Sequence, residues 1–398
     1  MWLFPKRRVY LDHASAPPVL PEAVRAMREA EELVGNPGAI HAEAVAAKKS
    51  LENSREHIAL LIGCKARELI FTDGLTEANN IAVLGSARKL ELQGRTLNGT
   101  HWLVSSIEHD SVLHCFGEVE RMGGTVTCVE PDERGIVLPE AVAAALKPET
   151  VFVSIGWANN EIGTVQPLAS IARVIREHER PTSLTCGLPI VFHTDGGQAP
   201  LYVSTVVQSL GVDLVSLGAN KLYGPHGVGA LIIRNRVELS SVLFGGKQEH
   251  GARPGTENVA LAAGFAAAFE KIVGERDAEA RRVEKLRGQL ASELALQVPG
   301  LVVNGDLKHA LPHMLNVSIP NISSEYLTLS LDHAGIAVST KSACREGEES
   351  RSHVVEALKG EDWRARNTIR MSLGRDTDAS DIARTVEAFV RFASPKKG

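Results

Sequence analysis

Between residues 51 and 235, short apolar runs alternate with amphipathic stretches. That rhythm predicts strand, helix, strand, helix, the repeat of a mostly parallel sheet covered by helices. The expected strands are Leu69–Thr72, Trp102–Ser105, Val126–Val129, Val151–Ser154, Ile190–His193, Leu214–Ser216 and Gly229–Ile233. Polar residues gather where these runs end, and in open α/β sheets that edge is where ligands bind. Farther along, Asn258–Val273 reads as an alanine-rich helix and Glu275–Leu296 as a separate, charged amphipathic one, together a connector. Met314–Ile319, Ile336–Ser339 and Thr368–Ser372 then read as strands, with helices over 324–334, 352–358 and 378–392. The pattern predicts a large α/β domain over residues 15–258 and a smaller α+β domain built from 1–14 and 259–398.

Composition sharpens this picture at three points. A chain of 398 residues with 44% apolar content can bury one large core and a second, smaller one. A formal net charge of −5, with Lys and Arg dispersed, leaves no basic face for direct contact with nucleic acid. Five cysteines (Cys64, Cys115, Cys128, Cys186 and Cys344) form no Cys-x-x-Cys pair and no Cys/His metal spacing, which suits a reducing compartment and no metal. Met1–Pro5 gives way at once to Lys6-Arg7-Arg8, too short for a signal sequence, and no apolar run approaches a membrane span. The expectation is a soluble, cytoplasmic protein.

The chemistry centres on Lys221, which follows the Leu214–Ser216 strand and leads into Leu222-Tyr223-Gly224-Pro225-His226-Gly227-Val228-Gly229. A lone lysine is ordinarily a solvated cation. At a strand end beside close-approach glycines, an amine can instead lose its proton and form a Schiff base with an aldehyde cofactor such as pyridoxal phosphate (PLP). That cofactor also needs a carboxylate for its ring nitrogen, a phosphate cradle and a group on its ring face. Phe71 to Asn80 passes from a strand through Gly74 into a helix, where the amides at Gly74, Leu75 and Thr76 suit a phosphate; an ordinary capped βα turn reads the same way. Asp195 ends another strand, either as a helix cap or as the partner of a protonated ring nitrogen, with Gln198 in reach of a ring hydroxyl. His109 ends the Trp102 strand with an aromatic face and a proton carrier, and Asn160 follows the Val151 strand.

Taken with Tyr10–Ala14, Asn36-Pro37, Ile40-His41, Gly245–Glu249, Arg253–Asn258, Ser339–Cys344, Ser352-His353-Val354 and Ile369–Gly374, these motifs run in one order along nearly the whole chain. In that order the chain resembles the class V, fold-type I PLP enzymes, and specifically the cysteine desulfurases. The resemblance implies a homodimer of fold-type I architecture, with Lys221 as the Schiff-base lysine, Asp195 on the pyridine nitrogen and His109 stacked on the ring. It implies Gln198 and Asn160 beside the ring hydroxyl, Gly74, Leu75 and Thr76 on the phosphate, Asn220 among the cofactor-binding residues at a phosphate-side position, and Thr256 offered to a phosphate across the dimer interface. Arg370 would clamp the carboxylate of L-cysteine as a bidentate pair. Cys344 would attack the substrate sulfur as a thiolate, favoured by Lys341 and Arg345 and opposed by Glu346, Glu348 and Glu349, leaving alanine and an enzyme persulfide for an acceptor protein. Iron–sulfur scaffolds, tRNA-thiolation relays and DNA-modification systems are all compatible acceptors.

Four positions depart from that family pattern. Gly218 and Asn220 stand where serine and histidine are usual, Asp73 replaces a serine before the phosphate turn, and Lys341 replaces a small residue. They leave open a selenocysteine or cysteine-eliminating lyase of the same fold, in which Cys344 matters little. They also leave open a PLP-binding or regulatory scaffold.

Overall fold

The structure, a computed structural model, describes residues 8–179, 189–340 and 351–393. The chain opens with β1 (Val9–Tyr10), α1 (Pro21–Glu31) and α2 (Ala42–Ile62). Then come β2 (Leu69–Thr72), α3 (Leu75–Leu92), β3 (His101–Ser105), α4 (Asp110–Arg121), β4 (Thr125–Val129) and α5 (Pro139–Ala145). These are followed by β5 (Thr150–Ser154), α6 (Leu168–His178), β6 (Val191–Asp195), β7 (Leu214–Gly218) and β8 (Gly229–Ile233). Helix α7 (Val259–Gln297) leads to β9 (Val302–Val303), β10 (Met314–Ser318), α8 (Ser324–His333) and β11 (Ile336–Ala337). The last described elements are α9 (His353–Ala357), α10 (Asp362–Arg366), β12 (Thr368–Ser372) and α11 (Ala379–Ala393).

Seven strands form one sheet in the order β2-β8-β7-β6-β5-β3-β4. The pairs from β7 to β4 are parallel, and β8 runs antiparallel to both of its neighbours. The sheet is therefore mixed but mostly parallel. Because β8 reverses, β2 points the same way as β3, β5, β6 and β7, so all five strands deliver their carboxyl ends to one edge. A three-stranded antiparallel sheet, β12-β10-β9, and the parallel pair β1-β11 complete the strands.

The connector differs from the two helices expected: α7 is one helix of 39 residues running straight through Gly274. A mid-helix glycine costs only about 1 kcal/mol, and burial on both sides of it outweighs that. Ala262, Phe265, Phe269 and Ile272 pack into the core under the large sheet, while Leu290, Ala291 and Leu294 pack with Val9, Leu11, Leu315 and Phe389 around the small one. Asn258 caps its start by accepting the Leu261 amide at 2.9 Å. No helix among the described residues is long and apolar enough to cross a membrane.

Candidate active site

A cavity of about 450 Å³ opens at the edge where β2, β3, β5, β6 and β7 end. Gly74, Leu75, Thr76, His109, Asn160, Asp195, Gln198, Asn220, Lys221 and Arg370 all line it. Residues from six separate stretches of sequence thus meet in one space. Two of the residues singled out by the sequence do not belong to this wall: Thr256 is exposed and outside the lining, and Cys344, with Lys341, Arg345, Glu346, Glu348 and Glu349, lies outside the described residues.

Lys221 sits on the single 3₁₀ turn that follows β7, and its Nζ donates to the carbonyls of Ser15 (2.7 Å) and Ala14 (3.1 Å). Gln198 Nε2 donates to the same Ala14 carbonyl at 2.9 Å, while its Oε1 is buried with no partner among the described residues. Asp195 is held from two sides. One carboxylate oxygen accepts the Gly197 amide at 2.8 Å and the other accepts Asn79 Nδ2 at 2.7 Å. Asn79, fully buried on α3, also donates to Ser111 Oγ at 2.9 Å, and Ser111 joins it to His109. His109 caps α4, its Nδ1 accepting the Ser111 amide at 3.1 Å, which leaves Nε2 to carry the proton of the neutral ring.

The start of α3 is shaped for an anion. Gly74 takes φ 130° and provides no side-chain cap to the first turn, and the space where its Cβ would stand has nothing within 4 Å. Uncapped amides and the helix dipole at such a terminus favour negative charge. The glycine-rich run after Lys221 serves the same turn: a Cβ at Gly229 would come within 2.5 Å of the Leu217 carbonyl and 2.7 Å of the Gly74 backbone. Asp73 also lines the cavity beside this turn, but its carboxylate is partnered. Its side chain is 73% exposed and pairs with Arg253 at 3.4 Å, while Glu77 receives the Asp73 amide. Gly218 and Asn220 are packed together: a Cβ at Gly218 would lie 3.0 Å from both Asn220 Oδ1 and Leu75 Cβ.

Glu108 stands directly before His109, and nothing local in the sequence marks it as a site residue. It is 5% exposed on the cavity wall, with Oε1 accepting the Gly156 amide at 2.7 Å. Burial, with Asp195 nearby, pushes its carboxyl up to about 8. Gly156 lacks a side chain for this reason: a Cβ there would meet Glu108 Oε2 at 2.9 Å. Asn79 is likewise unmarked in the sequence, its partner Asp195 lying 116 positions away.

Arg370 comes from β12 of the small sheet, 7% exposed. The backbone of Arg370 exchanges hydrogen bonds with Ser339 at 2.8 and 3.0 Å, and His353 Nε2 meets the Glu108 carbonyl at 3.0 Å. A second anchor lies outside the cavity. Glu249, buried at a positive φ of 47°, takes both ends of the Arg55 guanidinium (2.6 and 2.8 Å) and the Phe71 amide (2.8 Å), which ties the loop before Thr256 to β2.

Comparison with known proteins agrees with this arrangement. The family described as Aminotransferase class-V matches residues 9–385. Cysteine desulfurase IscS of Dictyoglomus turgidum is 37% identical over 388 residues, 97% of this chain and 95% of its own. A solved NifS-like protein superposes with a TM-score of 0.88 at 30% identity, covering 96% of this chain and 98% of its own. SspA, solved in complex with cysteine, gives a TM-score of 0.78 at 31% identity, over 92% and 98% of the two chains.

Proposed function

The chain belongs to the class-V aminotransferases, in their cysteine desulfurase family, and on that premise we propose that it converts L-cysteine to L-alanine and passes the sulfur to Cys344 as a persulfide. The observation that carries the reading is the single cavity shared by an amine, a doubly held carboxylate, an imidazole and a guanidinium, those of Lys221, Asp195, His109 and Arg370. SspA, with cysteine bound, supports a small thiol amino acid as the substrate.

The residues fit pyridoxal phosphate. The uncapped start of α3 suits its phosphate, with Gly74, Leu75 and Thr76 around it. The buried, partnerless Gln198 Oε1 and Asn79 Oδ1 await a donor in the same region. Asp195 would hold the ring-nitrogen proton, kept in place by Asn79 and Gly197, and Asn160, Asn220 and His109 would bound the ring. When bound, this cofactor supplies an electron sink that acidifies the Cα hydrogen of an amino acid.

The chain's own groups then have distinct tasks. Lys221 accepts and returns the Cα proton, held between uses by the Ala14 and Ser15 carbonyls. His109, protonated at Nε2 by virtue of its Ser111 contact, carries a proton across the same space. Arg370 orients the substrate carboxylate. The Cys344 thiolate forms an S–S bond as the substrate C–S bond breaks; protonation of the carbon gives alanine, and a thiol reductant or acceptor protein later removes the terminal sulfur. Thr256, exposed away from its own cavity, serves that of a second copy in a homodimer.

The test is direct. Purified protein supplied with PLP and cysteine should yield alanine and, with reductant, sulfide in equal amounts. Cys344→Ser should lose most of this turnover. Undiminished turnover in that variant would point to a lyase instead, and absence of both product and a visible cofactor band would point to a scaffold.

A further inference from the structure

Arg370 is already engaged in a way that bears on its substrate. Its Nη2 donates to Asp12 Oδ1 at 2.8 Å and to Ser15 Oγ at 2.6 Å, and its Nη1 donates to the Asn160 carbonyl at 2.8 Å. Nε is buried with no partner among the described residues. A guanidinium has five N–H donors, and either edge that can grip a carboxylate with two parallel bonds uses Nη2, once with Nε and once with Nη1. Nη2 already meets two acceptors. Two-pronged binding of a substrate carboxylate therefore competes with Asp12 and Ser15 for Nη2, and Nε is the donor left waiting to complete the side-on edge.

We infer that Asp12 is a built-in stand-in for the substrate carboxylate, a specificity-determining residue that lowers the affinity of Arg370 for carboxylates and yields when one binds. Asp12 rather than Ser15 carries the effect because it is ionic. Its side chain is 21% exposed, so it has water to turn towards on release, and Ser15 Oγ donates to its Oδ1 at 2.9 Å, which keeps that oxygen aimed at Arg370. The strip from Asp12 to Ser15 also receives the Lys221 amine and the Gln198 amide, so an exchange at Arg370 occurs beside the reacting groups. The inference rests on the amino-acid substrate proposed above.

Asp12→Asn keeps the shape and an acceptor but removes the charge, and this separates a stand-in from a mere orienting contact. Binding of 3-mercaptopropionate, which has the thiol and carboxylate of cysteine without its amine, would be measured by calorimetry on PLP-loaded wild type and variant. Cysteamine, which lacks the carboxylate, is the control. Asp12→Asn should bind 3-mercaptopropionate about five- to tenfold more tightly, the size of one like-charge repulsion in a partly exposed site, with cysteamine unchanged. Ser15→Ala, which removes the neutral partner, should shift either ligand by less than about twofold. Weaker or unaltered binding of 3-mercaptopropionate by Asp12→Asn, or equal tightening of both ligands, would overturn the inference. Alanine formation by the wild type is scored separately: its absence sinks the desulfurase reading and leaves the calorimetry to decide on Asp12.

Discussion

Replacing Glu108 by Gln should stabilise the protein at alkaline pH and do so progressively less as the pH falls. Glu108 is buried against the Gly156 amide with Asp195 near, and its carboxyl is raised from the usual 4.5 to about 8. Below about pH 4.5 the group is protonated in both folded and unfolded chains. Between there and pH 8 the folded chain keeps a proton that the unfolded chain has released, so stability falls as the pH rises. Above pH 8 both forms are ionised and the loss is complete. The slope is about 1.4 kcal/mol per pH unit, with a ceiling of about 5 kcal/mol over the whole window. Glutamine is neutral throughout and retains an acceptor for Gly156, so the variant should lack this slope. Urea denaturation of both proteins at pH 5.5 and pH 8, followed by circular dichroism, gives the difference at each pH and cancels every other titrating group. The difference should move in favour of Glu108→Gln by about 2–3 kcal/mol between the two. An identical difference at both pH values would refute a protonated Glu108 in the folded protein.

Other outcomes follow from single contacts. Asn79→Ala removes one of the two bonds holding Asp195 and should weaken PLP binding about tenfold in an absorbance titration, at a cost of about 1–3 kcal/mol in stability for the acceptors it leaves unpaired. Arg55→Met leaves the Glu249 carboxylate buried and unpaired, which should cost about 3–5 kcal/mol in urea denaturation. Gly229→Ala drives a methyl group into the Leu217 carbonyl and the Gly74 backbone. It should lower stability by about 1–3 kcal/mol in thermal melts and weaken PLP binding, whereas an alanine at Gly274, where nothing lies within 4 Å, should do neither.

The strands of the large sheet were legible because each is a compact apolar run closed by polar residues, and the observed bounds differ by a residue or two at the ends, as at His101–Ser105 and Val191–Asp195. Strand direction was not legible. Nothing in Gly229–Ile233 says that it runs against its neighbours, since periodicity reports faces and not polarity. Gly274 suggested a break between two helices because propensity is local, and the packing that overrides it comes from residues far away in sequence. The cavity residues were readable where a motif concentrates them, as at Lys221 and Asp195. They were unreadable where a role depends on a distant partner: Glu108 on Gly156, Asn79 on Asp195, Asp12 on Arg370. The pairing of Asp73 with Arg253, 180 positions downstream, is unreadable for the same reason.

The unbroken α7 has a mechanical consequence. At about 1.5 Å per residue it is a bar nearly 60 Å long, bolted at one end under the strands that bear Lys221 and at the other to the sheet that bears Arg370. Such a bar has no elbow at Gly274 about which the halves can fold. The spacing between the amine and the guanidinium is thereby set by the stiffness of a single rod, and adjustment to a substrate falls to side chains such as Asp12 and Ser15 rather than to swinging of whole lobes.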